Sequence, residues 1–148
     1  MAASQEAICL ALETSIFAFP EIPGRWEVLD FPGVRARATP QTSHPIGNLV
    51  GVATLTADNA DAVIAQIRDF FAARAHTVGW WVNPSSTPGD LVRRLEAAGF
   101  AKVLAQAGQV LTNLGRAIQV NPAVTVRQAT HEDRAELIRV YATAYPLP

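Results

Sequence analysis

Gly79-Trp-Trp-Val-Asn-Pro-Ser-Ser-Thr-Pro-Gly-Asp-Leu-Val-Arg-Arg-Leu-Glu-Ala-Ala-Gly-Phe100 is the stretch that decides the fold. Residues 78 to 82 are apolar and read as a strand. Thr87 stands where a helix cap is wanted, Pro88 suits the first helical position, and Asp90 sits three residues on from the cap. Leu91, Leu95 and Ala98 share one helical face, and Gly99 is the expected left-handed stop. Phe100 then opens two predicted strands over 100–114 around Ala107-Gly108, a turn that could equally be a bulge.

Working outward, residues 3 to 18 read as a helix with Ile8, Leu12, Ile16 and Phe19 on one face, ended by Pro20 and Pro23-Gly24. Residues 34 to 39 alternate apolar and charged, as a half-buried strand does. Pro40 and His44-Pro45 mark a loop. Residues 48 to 56 carry hardly a polar side chain, which predicts a strand buried on both faces and interior to its sheet. A helix over 58–75 follows, with Val63, Ile64, Ile67, Phe70 and Phe71 at the 3.6 period. Residues 115 to 123, containing Asn121-Pro122, read as a linker. Residues 124 to 129 then form a short strand, and Thr130 with Asp133 caps a last helix whose apolar face is Leu137, Ile138, Tyr141 and Tyr145. Alternating strands and helices imply an α/β layer structure with a mixed sheet, antiparallel in its first half and parallel near Val78.

Composition narrows the function. Of 148 residues, 49% are hydrophobic and 17% charged, so the chain can build a core and is not of the disordered class. A net charge of −1 and the lack of a basic stripe argue against nucleic acid as a partner; Arg35 and Arg37, with Arg25 nearby, mark a strand's solvent face. Cys9 is the single cysteine, so no disulfide forms within the chain, and its neighbours Ile8, Leu10 and Leu12 predict a buried, inert thiol. The N-terminus has no basic segment before an apolar run, and no stretch has the length to span a bilayer. A cytoplasmic location is the expectation.

The strand, helix, Gly-Phe, strand, strand succession over 78–114 resembles the second half of the GNAT superfamily of acyl-CoA-dependent N-acyltransferases. Residues 48–75 resemble that fold's central strand and following helix, and Val124 to Ile138 resemble the opening of another GNAT domain. Its specific parts are the Leu-Glu-Ala-Ala-Gly-Phe100 box and the 124–138 opening. The resemblance implies a three-layer fold with a mostly antiparallel sheet flanked by helices. It also implies a tandem arrangement: a divergent domain at 1–115, a linker at 116–123, and the first strand and helix of a second, truncated domain at 124–148.

What the resemblance implies for chemistry is missing at three places. The family cradles the cofactor pyrophosphate with a glycine-rich turn at a helix start, where free amides and the helix dipole attract anions. Here that turn is Leu55-Thr-Ala-Asp-Asn-Ala-Asp-Ala62, which has no glycine and adds the negative charges of Asp58 and Asp61. Pro88 falls where many members place an asparagine that contacts the cofactor. Leu95 falls where many place a tyrosine that protonates the leaving thiolate, and leucine has no proton to give. The reading is a GNAT-like half that lacks its own acetyl-CoA site, in a protein whose family uses acetyl-CoA. No catalytic or cofactor-binding residue is assigned, and no metal ligand.

Other candidates have plainer readings. Trp80 and Trp81 point to opposite faces of a strand, one into the core and one toward a groove. Asn83, Ser85 and Ser86 follow that strand, where open sheets often bind ligands, yet turn chemistry accounts for them. His44, His76 and His131 lack metal-ligand neighbours, and Ser15, Ser43, Ser85 and Ser86 lack the setting of a nucleophile. Two alternatives stay open: an active acyltransferase with a cofactor site rebuilt on the Val50–Leu55 strand edge, and a non-catalytic ligand-binding or regulatory module working through Trp80 and Trp81. The expected partner is a C-terminal GNAT domain, or a second copy of the chain docked through residues 124–148 as a homodimer, because two elements cannot bury an apolar face alone.

Overall fold

A computed structural model describes residues 4–108 and 121–144. Chain contacts divide it into two compact units, Met1–Val110 and Leu111–Pro148.

In the first unit, β1 (Glu27–Phe31) and β2 (Val34–Ala38) form an antiparallel hairpin in which Phe31 pairs with Val34. Pro32 and Gly33 make its two-residue turn, and Gly33 takes a φ of +75°, which a Pro-Gly turn requires. β3 (Leu49–Gly51) lies antiparallel to β2, and β4 (Gly79–Trp80) lies parallel to β3. The strand order is β1-β2-β3-β4, so the chain is α/β with a mixed four-stranded sheet among the described residues. A parallel pair needs a crossover, and α2 (Ala60–Ala72) supplies it. Two further helices are α1 (Gln5–Ser15) and α3 (Leu91–Ala97).

Period-2 alternation on β2 sets the layers. Val34, Ala36 and Ala38 are buried while Arg35 is exposed, so the small residues face the helices. Against them pack Val63, Ile64, Ile67 and Phe71 of α2 with Leu91 and Leu95 of α3. Burying each large side chain of this kind contributes about 1.5–3 kcal/mol. The opposite face meets Phe17, which follows α1: a Cβ built on Gly51 would lie 2.7 Å from the Phe17 ring.

Several expectations are corrected. The hairpin strand β1 was not foreseen, although Pro32-Gly33 after Val28, Leu29 and Phe31 is its signal. The first helix ends at Ser15 and buries no residue; beyond it Phe19 is 58% exposed and Phe17 is buried. The predicted strand 48–56 is interior but stops at Gly51, because Val52 turns the chain with a φ of +53°. Thr87 does not cap a helix: it bridges to Thr54, the Thr87–Pro88 peptide is cis, and α3 starts at Leu91 behind Asp90. Gly99 does take the left-handed stop, at φ +95°. No strand forms in residues 100–108, and 109–114 lie outside the described residues.

In the second unit, a 3-10 turn at His131–Asp133 leads into α4 (Arg134–Ala144). The Thr130 N–H donates to Asp133 Oδ2 at 2.7 Å, and Arg127 forks onto the same carboxylate. That pairing holds the Asp133 carboxyl well below the usual range, through Arg127 first and the Thr130 amide second. Residues 124–129 form no strand. Leu137, Ile138 and Tyr141 are each more than half exposed; Tyr145 lies outside the described residues.

Candidate functional site

The candidate site is the place where β3 and β4 part. Up to Val50 the two strands are bonded, Trp81 N–H donating to Val50 O at 2.8 Å. Beyond it Val52 bends β3 away, and Thr54 N–H turns to Gly33 O at 2.7 Å. Such a parting would leave backbone amides for a ligand, but Thr87 fills the gap. Its N–H donates to Ala53 O at 3.0 Å, its carbonyl accepts from Leu55 N–H at 3.3 Å, and its hydroxyl donates to Leu55 O at 2.8 Å. The Val50–Leu55 edge is therefore paired at Val50, Ala53, Thr54 and Leu55.

Residues 82–86 loop out of this stitch. Asn83 N–H donates to Ser86 Oγ at 2.9 Å, and Ser86 N–H donates to Asn83 O at 2.9 Å. Ser85 donates to the Glu13 carboxylate of α1. All three polar residues do turn and tethering work, as turn chemistry predicts. Trp80 and Trp81 do take opposite faces. Trp80 stacks edge-on against Phe100 at 5.9 Å, and its Nε1 is shut from solvent with no acceptor. Trp81 lies on the Gly51 and Phe17 side and is 37% exposed.

The turn that leads into α2 (Ala60–Ala72) is tied by its own side chains. Thr56 N–H donates to Asn59 Oδ1 at 2.8 Å, Asn59 N–H to Thr56 Oγ1 at 3.3 Å, and Ala60 N–H to Thr56 O at 3.1 Å. These bonds fix the turn before α2 and not its first-turn amides, since Asn59 at the N-cap makes no side-chain bond into the helix. Asp58 is exposed in this turn. Asp61 ion-pairs with Arg94 at 2.9 Å, and Arg94 also meets Asp90 at 2.9 Å. Hydrogen bonds from Arg94, then Arg93, hold the Asp90 carboxyl below its ordinary pKa, while Asp90, then Asp61, push the Arg94 guanidinium up. These pairs border a groove of about 380 Å³ between α2 and α3, floored by Ile64, Ala65 and Ala98. Arg68, at its rim, pairs with Asp69 at 2.9 Å. Every arginine at this groove has a carboxylate of its own.

The remaining candidates scatter. Leu95 is 5% exposed and belongs to the core. His44 Nδ1 accepts from Ile46 N–H at 3.2 Å; His76 Nδ1 is buried without a partner; His131 is exposed. No group of three or more His, Cys, Asp or Glu among the described residues is placed to hold a metal ion. Ser15 donates to Leu12 O at 2.8 Å, and the Ser43 carbonyl accepts from Thr77 N–H at 2.9 Å. Cys9 is exposed, which overturns the expected buried thiol: α1 buries no residue, so apolar neighbours in sequence did not place it inside. Among the described residues no helix is long and apolar enough to cross a membrane.

Two residues carry more than their sequence context suggests. Asn48 is fully buried; its Oδ1 accepts from Thr39 N–H at 3.0 Å, and its Nδ2 donates to Thr42 O at 2.8 Å and His44 O at 3.2 Å. Thr87, through its bonds to Ala53 and Leu55, is the second. An amide at the head of an apolar run is a signal for the first; nothing local signals the second. No family model, no curated protein and no solved structure matches this chain.

Proposed function

We propose that the first unit is a non-catalytic, GNAT-like half of an acyl-CoA-dependent N-acyltransferase. The support is an order of elements: an antiparallel hairpin, a third strand broken at Val52, a crossover helix, and a parallel fourth strand followed by a helix. The observation that carries the non-catalytic part is Thr87, whose bonds to Ala53 and Leu55 occupy the edge a thioester carbonyl would need. The glycine-free turn before α2, with the negative charges of Asp58 and Asp61, adds to it. Both speak against a cofactor site rebuilt on the Val50–Leu55 edge. In this reading the second unit is the opening of a further acyltransferase domain, or docks on a second copy of the chain, and its exposed Leu137 and Ile138 are the residues such a partner covers.

The test is thermal unfolding of the 148-residue chain with rising acetyl-CoA. A ligand at a hundred times its dissociation constant adds about 2.7 kcal/mol of stability. A flat response is expected. A saturating rise, or turnover of acetyl-CoA by this chain alone, would overturn the proposal.

A second reading draws on Trp80, whose Nε1–H is closed off with no acceptor. In a ligand-binding or regulatory module, a ligand other than coenzyme would meet the 37% exposed Trp81 first and reach Trp80 only by opening its surroundings.

A further inference from the structure

Arg37 lies on the sheet face away from the core, since Ala36 and Ala38 on either side of it turn inward. Its guanidinium carbon stands 4.8 Å from the centroid of the Trp26 ring. Nη2 reaches Ile46 O at 3.4 Å, a long contact, and Nε is shut from solvent with no acceptor. None of the ion pairs among the described residues includes Arg37, whereas Arg35, two residues back, has Asp30 at 3.8 Å. Burial pushes the Arg37 guanidinium below its ordinary pKa. A cation drawn partly out of water with no counter-charge is costly to keep, and an arriving anion would relieve that cost.

The surroundings are built rather than loose. Trp26 is fixed by its Nε1–H, which donates to Pro20 O at 2.7 Å, and by Phe19 at 6.1 Å. Trp26 and Ile22 close one turn by bridging to each other, and the loop Thr39–Gly47 forms the other wall, pinned from behind by buried Asn48. The Gln41 side chain ties the two walls by donating to Gly24 O. The same segments expose apolar side chains, Phe19, Ile22 and Ile46 at 58%, 46% and 66%, and one carboxylate, Glu21, which accepts from the N–H of Val28, the cross-strand neighbour of Arg37.

We propose that Arg37 anchors a small-molecule site that takes a monocarboxylate carried on an apolar body. One unpaired guanidinium, with its neighbour Arg35 already engaged, matches a single negative charge better than a phosphate dianion. With Nε shut from solvent and Nη2 reaching Ile46 O, the carboxylate would be met at the outer Nη edge of the guanidinium. The stacked Trp26 ring and these exposed apolar side chains offer surface for a hydrocarbon group. This site uses none of the residues of the Thr87 stitch and does not depend on the acyltransferase reading.

The probes are acetate, phenylacetate and inorganic phosphate at matched ionic strength, read by thermal unfolding of the full chain. Phenylacetate is expected to raise the midpoint with saturation, at concentrations at least several-fold below those acetate needs, and the rise should vanish in Arg37→Gln but persist in Arg35→Gln. Equal responses in wild type and Arg37→Gln, or no saturating response in wild type, would overturn the site. A response to phosphate stronger than that to phenylacetate would overturn the monocarboxylate assignment. Should Arg37→Gln fail to fold, Arg37→Lys keeps the charge without the fork; binding about tenfold weaker is expected there, and unchanged binding refutes the anchor.

Discussion

Thr87 and Leu55 exchange two hydrogen bonds across the line where β3 and β4 separate: Leu55 N–H to Thr87 O at 3.3 Å and Thr87 Oγ1 to Leu55 O at 2.8 Å. The side-chain bond is partly buried, so its loss should register. Thr87→Ala is expected to lower stability by about 1 kcal/mol, the net worth of one such bond. Urea unfolding measures it, and an unchanged midpoint would mean the hydroxyl does not hold the stitch.

Asn48 is the larger liability. Removing its amide leaves the Thr39 N–H and the Thr42 and His44 carbonyls without their partner beneath a closed loop. At about 1–3 kcal/mol for a buried group left unsatisfied, Asn48→Ala should cost roughly 3 kcal/mol or more. Asn48→Asp should be worse as pH rises, because it places a carboxylate where two donors to carbonyls are needed. Unfolding curves at two pH values would separate these effects.

Gly51 and Phe17 should prove coupled. A methyl on Gly51 would meet the Phe17 ring at 2.7 Å, so Gly51→Ala displaces the segment that follows α1 at a cost of about 1–3 kcal/mol. With Phe17→Ala already present the same substitution should cost far less. A double-mutant cycle that came out additive would contradict this contact.

Asp90 gives a pH dependence with a definite sign. Its carboxyl is held below the ordinary value by Arg94 and Arg93. The unfolded group titrates near pH 3.9, roughly, so the stabilisation is complete above that pH and disappears as pH falls through the lower folded value. Asp90→Asn should therefore flatten the acid limb of the stability profile below about pH 4. Identical limbs in the two proteins would show that the Asp90 pairs add nothing.

Cys9, exposed on α1, should react with a disulfide reagent in the native state as fully as in denaturant. A native thiol count near zero would return it to the interior.

Much of the architecture is legible before any coordinates. The 3.6 period from Val63 to Phe71 marks α2, the alternation from Val34 to Ala38 marks β2, and Gly99 marks the end of α3. These are local signals, written in spacing and in the φ that glycine alone tolerates cheaply. Even β1 was readable from Pro32-Gly33. The candidate site was legible only as a deficit: a helix start without glycine, a leucine in place of a proton donor.

What tertiary structure alone decided is which groups meet. Thr87 has every local mark of a helix cap, yet it spends its hydrogen bonds on Ala53 and Leu55, more than thirty residues upstream. Arg37 reads as one more solvent-facing charge until folding lays it on Trp26 and gives it no ion pair among the described residues. Periodicity reports which way a side chain points relative to its own element. It is silent on what the rest of the chain brings opposite, because that is set by the joint packing of distant segments.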